Sequence, residues 1–443
     1  MKLLSVISFL LLACCPLVLC LTCSKSQYGP YDKPVEGVMT RDDRQDIVRM
    51  MTRNNLSIIE TRNSECPELY KRYSADHTFC KVSTCDIISK GITDDDKKVI
   101  LDVHNSLRSR LASGKEQRYR KLPSAANMMQ MEWDDELARV AQALSNLCVF
   151  QHDDGSRCVE SFSVGQNLLS SSSTVKNWNF TQNWYKDEVC FYFPQYINPF
   201  QYNGDYGHFT QFTWATSWKI GCGFTAYREN GKENSLYTCN YGPGGNTLTL
   251  VHYIEGEPCS KCPDNTGCST EYPGLCKSKT EDGPQITRPS SQDFVLFCDF
   301  NKDDPKECAN VKVTGSKQFS TRHIYMGDYK TVVLQAGESI TMDLGEGQDG
   351  NGICPFFYGR FGPNDAKNSL GSKLEVVFKY KGSEAGRFSL KSQDVKFHII
   401  GLHMTSAMKF EVSFVFQANE GAAPQYLDVK AWGITRGACK RGI

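Results

Sequence analysis

Two segments of the chain carry apolar residues at helical spacing. In the first, Thr93 precedes three aspartates, and the apolar positions that follow are Val99, Val103, Leu107 and Leu111. The second begins at Asp134, and its apolar face consists of Leu137, Val140, Ala141, Leu144 and Cys148. A capping side chain satisfies free backbone N–H groups, and acidic residues in the first turn complement the helix dipole. The pattern therefore predicts two amphipathic helices.

Residues 219–241 and 247–254 alternate between apolar and polar positions and are separated by Gly and Asn turns. This alternation is typical of antiparallel strands. Two helices and a small antiparallel sheet in one domain favour an α+β fold with α-β-α layers.

Residues 293–443 show almost no helical periodicity. Strand-like alternation recurs at 332–334, 339–342, 374–378 and 410–416, between glycine-rich turns. The pattern predicts an all-β sandwich of the jelly-roll type.

The first twenty residues predict the compartment. Lys2 precedes an apolar run through Leu19 that is interrupted only by Pro16, which is the pattern of a secretory signal peptide over 1–20. A retained signal anchor is disfavoured because the run is shorter than the ~20 residues that a span needs. The mature chain is expected to be secreted and extracellular, without an integral membrane segment, and Asn55 and Asn179 then become glycosylation sites.

Charge and cysteine content support this interpretation. Fifty basic and fifty acidic residues leave a formal charge of zero, so no global field attracts nucleic acid. Twenty cysteines indicate an oxidising compartment. Cleavage after Cys20 removes three of them and leaves seventeen, which predicts one thiol that is free or intermolecular.

The cysteine spacing also divides the chain. Residues 21–92 form a polar extension that contains cysteines, and the domain with the two helices spans 93–256. A cysteine-rich hinge follows at 257–276, with Cys259, Cys262, Cys268 and Cys276. In a secreted chain, two disulfides are a better interpretation of this hinge than zinc ligation.

A polar linker over 277–292 precedes the β-sandwich of 293–443, which is expected to fold independently. Its cysteines allow three pairings, and nearness in sequence favours Cys298 with Cys308; the other two are Cys354 and Cys439.

Four motifs resemble those of the CAP superfamily, the cysteine-rich secretory and venom-allergen proteins. They are His104-Asn105-x-x-Arg108, Gly165-Gln166-Asn167-Leu168, the stretch 207–214 and the stretch 236–246. The resemblance covers residues 93–255. The Gly165-Gln166-Asn167 motif and the hinge are similar to those of the arthropod antigen-five branch.

The resemblance implies a cleft with two histidines and two acidic residues that can take a divalent metal. Matched to this sequence, the positions are His152, Gln166, Glu188 and His208. Gln166 replaces the usual glutamate, and a neutral carboxamide binds a cation more weakly than a carboxylate does. No cofactor is therefore expected to be required, zinc is expected to bind weakly, and Gln166→Glu is expected to tighten it. The alternative is that the histidines only form hydrogen bonds.

The resemblance also implies the disulfides Cys222–Cys239 and Cys85–Cys148, and a bond from Cys158 to an N-terminal cysteine. Cys190 is left unplaced, either as the unpaired thiol or as the partner of Cys23. The C-terminal part is similar to a MAM-type module at Phe297-Cys298-Asp299-Phe300 and at 427–439, although the Cys-Gly-Trp expected after that opening is missing.

Six aromatic residues in one loop form the candidate ligand surface: Phe191, Tyr192, Phe193, Tyr196, Phe200 and Tyr202. The alternative is that these rings pack inward. We expect a secreted, non-enzymatic protein that binds a lipid or sterol, or an extracellular protein, through the cleft and this loop. A toxin-like modulator of an ion channel or receptor is the alternative. A hydrolase is disfavoured, because the sequence contains no nucleophile motif of the Gly-x-Ser-x-Gly type.

Overall fold

In the computed structural model, residues 66–437 are described, apart from 75, 118–120, 154–155, 249, 285–293, 301–307, 309–310, 326, 348–351, 363–370, 391–397 and 402–408. The predicted signal peptide, Asn55, Cys23 and Cys439 lie outside this range. Within it, no helix has the length and hydrophobicity needed to cross a membrane.

The described chain begins with a short extension that is tied to the next domain. Helix α1 (Glu68–Tyr73) is followed by the 3₁₀ turn Thr78–Cys80, and the disulfide Cys66–Cys80 joins the segment just before α1 to the end of this turn. Strand β1 (Asp86–Lys90) then pairs with a strand of the next domain. The extension therefore packs as part of the folded body.

Both predicted helices are confirmed. Helix α2 spans Asp94–Ala112, and Thr93 caps it: the Thr93 hydroxyl accepts from the Asp96 N–H, and the Asp96 carboxylate accepts from the Thr93 N–H. Helix α3 spans Asp135–Asn146 with Asp134 as its cap. Cys148 lies beyond the end of α3, where its positive φ of 58° turns the chain towards His152.

A mixed sheet carries the helices. Its order is β1-β4-β5-β3, and β2 pairs in parallel with β4. These strands are β2 (Glu132–Trp133), β3 (Gly165–Ser171), β4 (Lys219–Glu229) and β5 (Lys232–Gly242). Gly221 and Gly223 let α3 approach β4, since a Cβ at either position would lie 2.2–2.4 Å from the α3 backbone. Two shorter helices, α4 (Asn183–Lys186) and α5 (Gly207–Phe212), lie near the end of β3.

The strand predicted within 247–254 is not formed. Backbone bonds of this segment go to several different loops: Phe200 N donates to Leu250 O, His252 N donates to Ile197 O, and Ala126 N donates to Ile254 O. Its apolar pattern thus reflects packing against loops rather than pairing in a ladder.

The hinge contains two disulfides, Cys259–Cys268 and Cys262–Cys276, with the small pair β6 (Thr266–Cys268) and β7 (Cys276–Ser278). The predicted pairs Cys85–Cys148, Cys222–Cys239 and Cys298–Cys308 are also present. Cys158 is not bonded to Cys66, Cys80 or Cys85, which have other partners. Cys190 and Cys354 are disulfide-bonded, but to no cysteine among the described residues; Cys190 is therefore not the unpaired thiol.

The C-terminal domain consists of two antiparallel sheets, as the alternation predicted. One has the order β10-β11-β18-β13-β16 with β8 beside β18, and the other has the order β15-β14-β17-β12-β9. A single apolar core draws on both sheets, with Phe357 and Trp432 from the first and Phe414 and Phe416 from the second. The strands are β8 (Phe294–Asp299), β9 (Lys312–Gly315), β10 (Ser320–Ile324), β11 (Gly327–Leu334), β12 (Ser339–Gly347), β13 (Ile353–Gly362), β14 (Ser372–Tyr380), β15 (Ser383–Leu390), β16 (His398–Gly401), β17 (Phe410–Ala418) and β18 (Gln425–Arg436).

Candidate functional site

The four predicted cleft residues form two hydrogen-bonded pairs. His208 Nδ1 lies 2.6 Å from Glu188 Oε1, and His152 Nδ1 lies 2.8 Å from Gln166 Oε1. We call these the His208 pair and the His152 pair.

The buried Glu188 carboxylate fixes the tautomer of His208. Its second oxygen accepts from the Phe209 N–H at 2.9 Å, and a carboxylate can only accept. His208 Nδ1 therefore donates, and Nε2 is the ring atom left for a ligand. The Trp184 ring stacks on the imidazole at 6.2 Å between centroids, so the orientation of His208 is fixed on two sides.

Gln166 is fixed in the same way by its neighbours. Its Nε2 donates to Asp153 Oδ1 at 2.9 Å and to Asn240 Oδ1 at 3.0 Å. Because the Asp153 carboxylate can only accept, the carboxamide nitrogen must face it, and the oxygen faces His152. His152 Nδ1 therefore donates to Gln166, so His152 also keeps Nε2 for a ligand.

This arrangement does not gather the four residues around one metal position. Among the described His, Cys, Asp and Glu side chains, the only group of three whose ligand atoms lie within 4.8 Å of one another is Cys259, Cys262 and Cys276, which are in disulfides. Glu188 orients His208, a role that carboxylates often have behind a histidine ligand. The residues present thus fit at most two imidazole ligands.

The hydrogen bonds of Gln166 also change the expectation for Gln166→Glu. A glutamate there would place a carboxylate oxygen against Asp153, which already accepts from Arg157 Nη1 at 3.1 Å. Asp153, Arg157 and Asn240 were not among the sequence-predicted site residues. The position of Asp153 next to His152 was the only sequence signal that could have identified it.

His104 and Arg108, from the His104-Asn105-x-x-Arg108 motif, form buried hydrogen bonds that hold chain segments next to the cleft. Arg108 is fully buried and donates to the carbonyls of Met129, Phe212 and Ser217 at 2.6–3.0 Å, so it fixes the chain that follows α5. His104 donates from Nδ1 to Ile100 O at 2.7 Å, and its Nε2 lies 3.0 Å from the Tyr241 hydroxyl. Burial lowers the pKa of His104 to about 3, so this imidazole is neutral.

The aromatic loop divides into buried and accessible rings. Tyr192 and Phe200 are in the core, where the Tyr192 hydroxyl lies 2.9 Å from His252 Nδ1. These two rings cannot meet a surface ligand, and for them the inward-packing alternative is confirmed. Phe191, Phe193 and Tyr196 are half-buried, and Tyr202 is 55% exposed.

Additional exposed apolar side chains lie beside this loop. Leu248, Leu250 and Val251 are 60%, 50% and 36% exposed. Their segment is bonded to the loop through Phe200 N and Leu250 O at 2.7 Å. We call Tyr202, Leu248, Leu250 and Val251 the apolar patch.

Comparison with known proteins agrees with these motifs. The sequence model of the cysteine-rich secretory protein family, CAP, matches residues 101–241. The cysteine-rich venom protein of Tityus serrulatus is 48% identical over 381 residues, which are 84% of this chain and 95% of that protein. The chain belongs to the CAP family.

Other relatives cover different shares of the chain. The CRISP/Allergen/PR-1 protein of Trittame loki is 38% identical over 86% of this chain and 97% of its own length. Venom allergen 3 of Solenopsis invicta is 39% identical but matches 41% of this chain. The crystal structure of Na-ASP-1 is 33% identical over 42% of this chain and 48% of its own, with a TM-score of 0.36.

Proposed function

We propose that this CAP protein is a secreted venom-type protein that binds its target without catalysis. The relatives named above are venom and allergen proteins, and the six disulfides among the described residues suit an oxidising, extracellular setting. The target is a lipid or sterol, or an extracellular protein.

The apolar patch is the observation that supports this proposal. Its four side chains are 36–60% exposed and belong to two segments joined by backbone hydrogen bonds. Exposed apolar area of this kind is typical of binding surfaces. The His208 pair lies next to the apolar patch and offers a polar contact to a lipid or protein bound there.

A cation would be bound only weakly by this cleft. His208 and His152 each supply one Nε2 atom, while Glu188 and Gln166 orient the two rings. Zinc would supply positive charge to a polar group of the ligand, and it is not required for apolar binding.

The second candidate function is modulation of an ion channel or receptor. It is favoured by the names of two relatives, the cysteine-rich venom protein of Tityus serrulatus and the scoloptoxin SSD976 of Scolopendra dehaani, which is 37% identical over 43% of this chain. The same apolar patch would then contact a protein. The C-terminal domain, which resembles a MAM-type module, would contribute recognition.

Native mass spectrometry of the secreted protein tests these alternatives. We expect co-purified lipid in the wild type and its loss in Leu248→Ser/Leu250→Ser. Val175→Ser is the control, because Val175 is 74% exposed and lies outside the apolar patch. Equal lipid content in all three proteins would contradict binding at the patch, and absence of lipid from the wild type would favour a protein target.

A further inference from the structure

The C-terminal domain is in direct contact with the CAP domain, which the polar linker between them in sequence does not predict. Much of the contact is made by the loop 156–164 of the CAP domain, which lies in sequence between His152 and the strand carrying Gln166. We call it the cleft loop.

Glu160 of the cleft loop is the centre of this contact. Its carboxylate accepts two hydrogen bonds from the Arg322 guanidinium, one of them at 2.8 Å, and one from the Tyr329 hydroxyl at 2.8 Å. Burial alone would raise the pKa of Glu160, but the pairing with Arg322 outweighs it and the pKa is lowered. The carboxylate is therefore charged and paired at neutral pH.

The backbone of the cleft loop is also bonded to the C-terminal domain. Arg360 Nη2 donates to Glu160 O at 3.1 Å and to the Tyr73 hydroxyl of the extension at 2.7 Å, while Arg360 Nε donates to Asp428 at 2.8 Å. Arg360 and Asp428 are 1% and 0% exposed. A buried charged pair is costly when its remaining donors lack acceptors. The Glu160 carbonyl of the cleft loop and the Tyr73 hydroxyl accept the remaining hydrogen bonds described for Arg360.

An aromatic contact adds to these bonds. The Tyr325 ring stacks on Phe162 of the cleft loop at 5.8 Å and meets Trp218 edge-on at 5.3 Å. Tyr325 lies in the turn between β10 and β11, so one hairpin supplies both Arg322 and Tyr325.

The extension secures the other end of the cleft loop. Thr78 N donates to Ser156 O at 2.7 Å, and His77 Nε2 lies 2.8 Å from Cys158 O. Because the Phe79 N–H donates to His77 Nδ1, Nε2 is the donor to Cys158. The CAP domain itself contributes the bond from Gly244 N to Ser163 O at 2.6 Å.

We propose that the C-terminal domain is a positioning element for the binding cleft, and that it holds the His152 pair in place through the cleft loop. The loop joins the contact to His152 on one side and to Gln166 on the other, and Arg157 links its two ends through Asp153 and Val164. His208 is held by Glu188 and Trp184, and Arg108 holds the chain after α5. All three residues lie within the CAP domain. Only one half of the cleft therefore depends on the C-terminal domain, whatever the cleft binds.

Hydrogen exchange measured by mass spectrometry on the full chain tests this proposal. The variants are Arg322→Ala, Tyr325→Ala and the double variant. The control is Arg228→Ala, which removes an exposed ion pair with Glu233 at 3.2 Å. We expect exchange over residues 152–166 to accelerate roughly tenfold or more in the double variant, as a segment that opens locally does.

Exchange over residues 183–212, which carry the His208 pair, is expected to stay as in the control. Unchanged exchange at 152–166 in the double variant would overturn the proposal, whether or not the hairpin 320–334 has moved. Equal acceleration at 152–166 and 183–212 would also overturn it, because it would indicate general destabilisation.

Discussion

The two halves of the binding cleft are positioned by different means. The His208 pair is fixed by buried groups of its own domain: Glu188 accepts from His208 and from the Phe209 N–H, and Arg108 holds the chain after α5. The His152 pair is fixed by a loop that contacts the extension and the C-terminal domain. One half of this cleft is thus formed by the CAP domain alone, whereas the other also depends on residues outside it.

The largest expected effect is on the His208 half. Replacing Arg108 with Met removes the donors to Met129, Phe212 and Ser217 while keeping much of the side-chain volume. Buried carbonyls left without donors should reduce the free energy of unfolding by about 3–5 kcal/mol. Urea denaturation measures this, with Arg228→Met as the exposed control. A loss below about 1 kcal/mol would show that these carbonyls are not essential to the cleft.

The second prediction concerns the fall of the free energy of unfolding in acid that two buried histidines, His104 and His252, should cause. Burial lowers the pKa of both His104 and His252 to about 3, whereas an unfolded histidine titrates near ~6.5. Between these values the unfolded state binds more protons, so stability falls as pH falls. The slope for each histidine should grow as pH falls through ~6.5 and approach about 1.4 kcal/mol per pH unit near pH 5.

Urea denaturation between pH 7 and pH 5, above the range in which most carboxylates titrate, measures this slope. Proton NMR of the native imidazoles is the direct check. A native His104 or His252 that titrates near its ordinary pKa would contradict the prediction.

The third prediction concerns the His152 half. Gln166→Glu should reduce the free energy of unfolding by about 1–3 kcal/mol, because the new carboxylate replaces a donor facing Asp153. It should not tighten zinc binding. The double variant Asp153→Asn/Gln166→Glu restores a donor and acceptor pair and should recover part of the loss. Tighter zinc binding by the single variant in calorimetry would contradict this prediction. It would support the expectation from the sequence that a carboxylate at position 166 strengthens cation binding.

The smallest expected effect is at the contact between the domains. Glu160→Gln keeps one acceptor oxygen for Arg322 Nε and the Tyr329 hydroxyl, but it places an amide N–H against Arg322 Nη2 and loses the charge. This should cost about 1 kcal/mol at neutral pH, because the Arg322 side chain is 44% exposed. Because the folded pKa of Glu160 is lowered, its contribution is present above the unfolded value of ~4.3 and is lost as pH falls through the folded value. The difference between wild type and Glu160→Gln should therefore disappear in acid, and a constant difference would contradict this assignment.

The sequence by itself predicted the elements whose signals are local. Thr93 and the aspartates after it mark the start of α2, and the alternation at 374–378 and 410–416 predicted strands of the C-terminal sheets. The alternation at 247–254 predicted a strand that does not form, because its apolar residues pack against loops distant in sequence. Two disulfides implied by family resemblance, Cys222–Cys239 and Cys85–Cys148, are also present, whereas the implied bond from Cys158 to Cys66, Cys80 or Cys85 is not.

The tertiary structure alone decided the roles of the polar residues. Apart from the family resemblance, nothing in the sequence distinguishes His208, which keeps a ring nitrogen for a ligand, from His104, whose two ring nitrogens contact Ile100 and Tyr241. The pairing of Glu160 with Arg322 joins residues 162 positions apart, and no local pattern in either segment predicts it. Helix caps and strand alternation act over a few residues and can be read from the sequence, whereas burial and long-range hydrogen bonds exist only once the chain is folded.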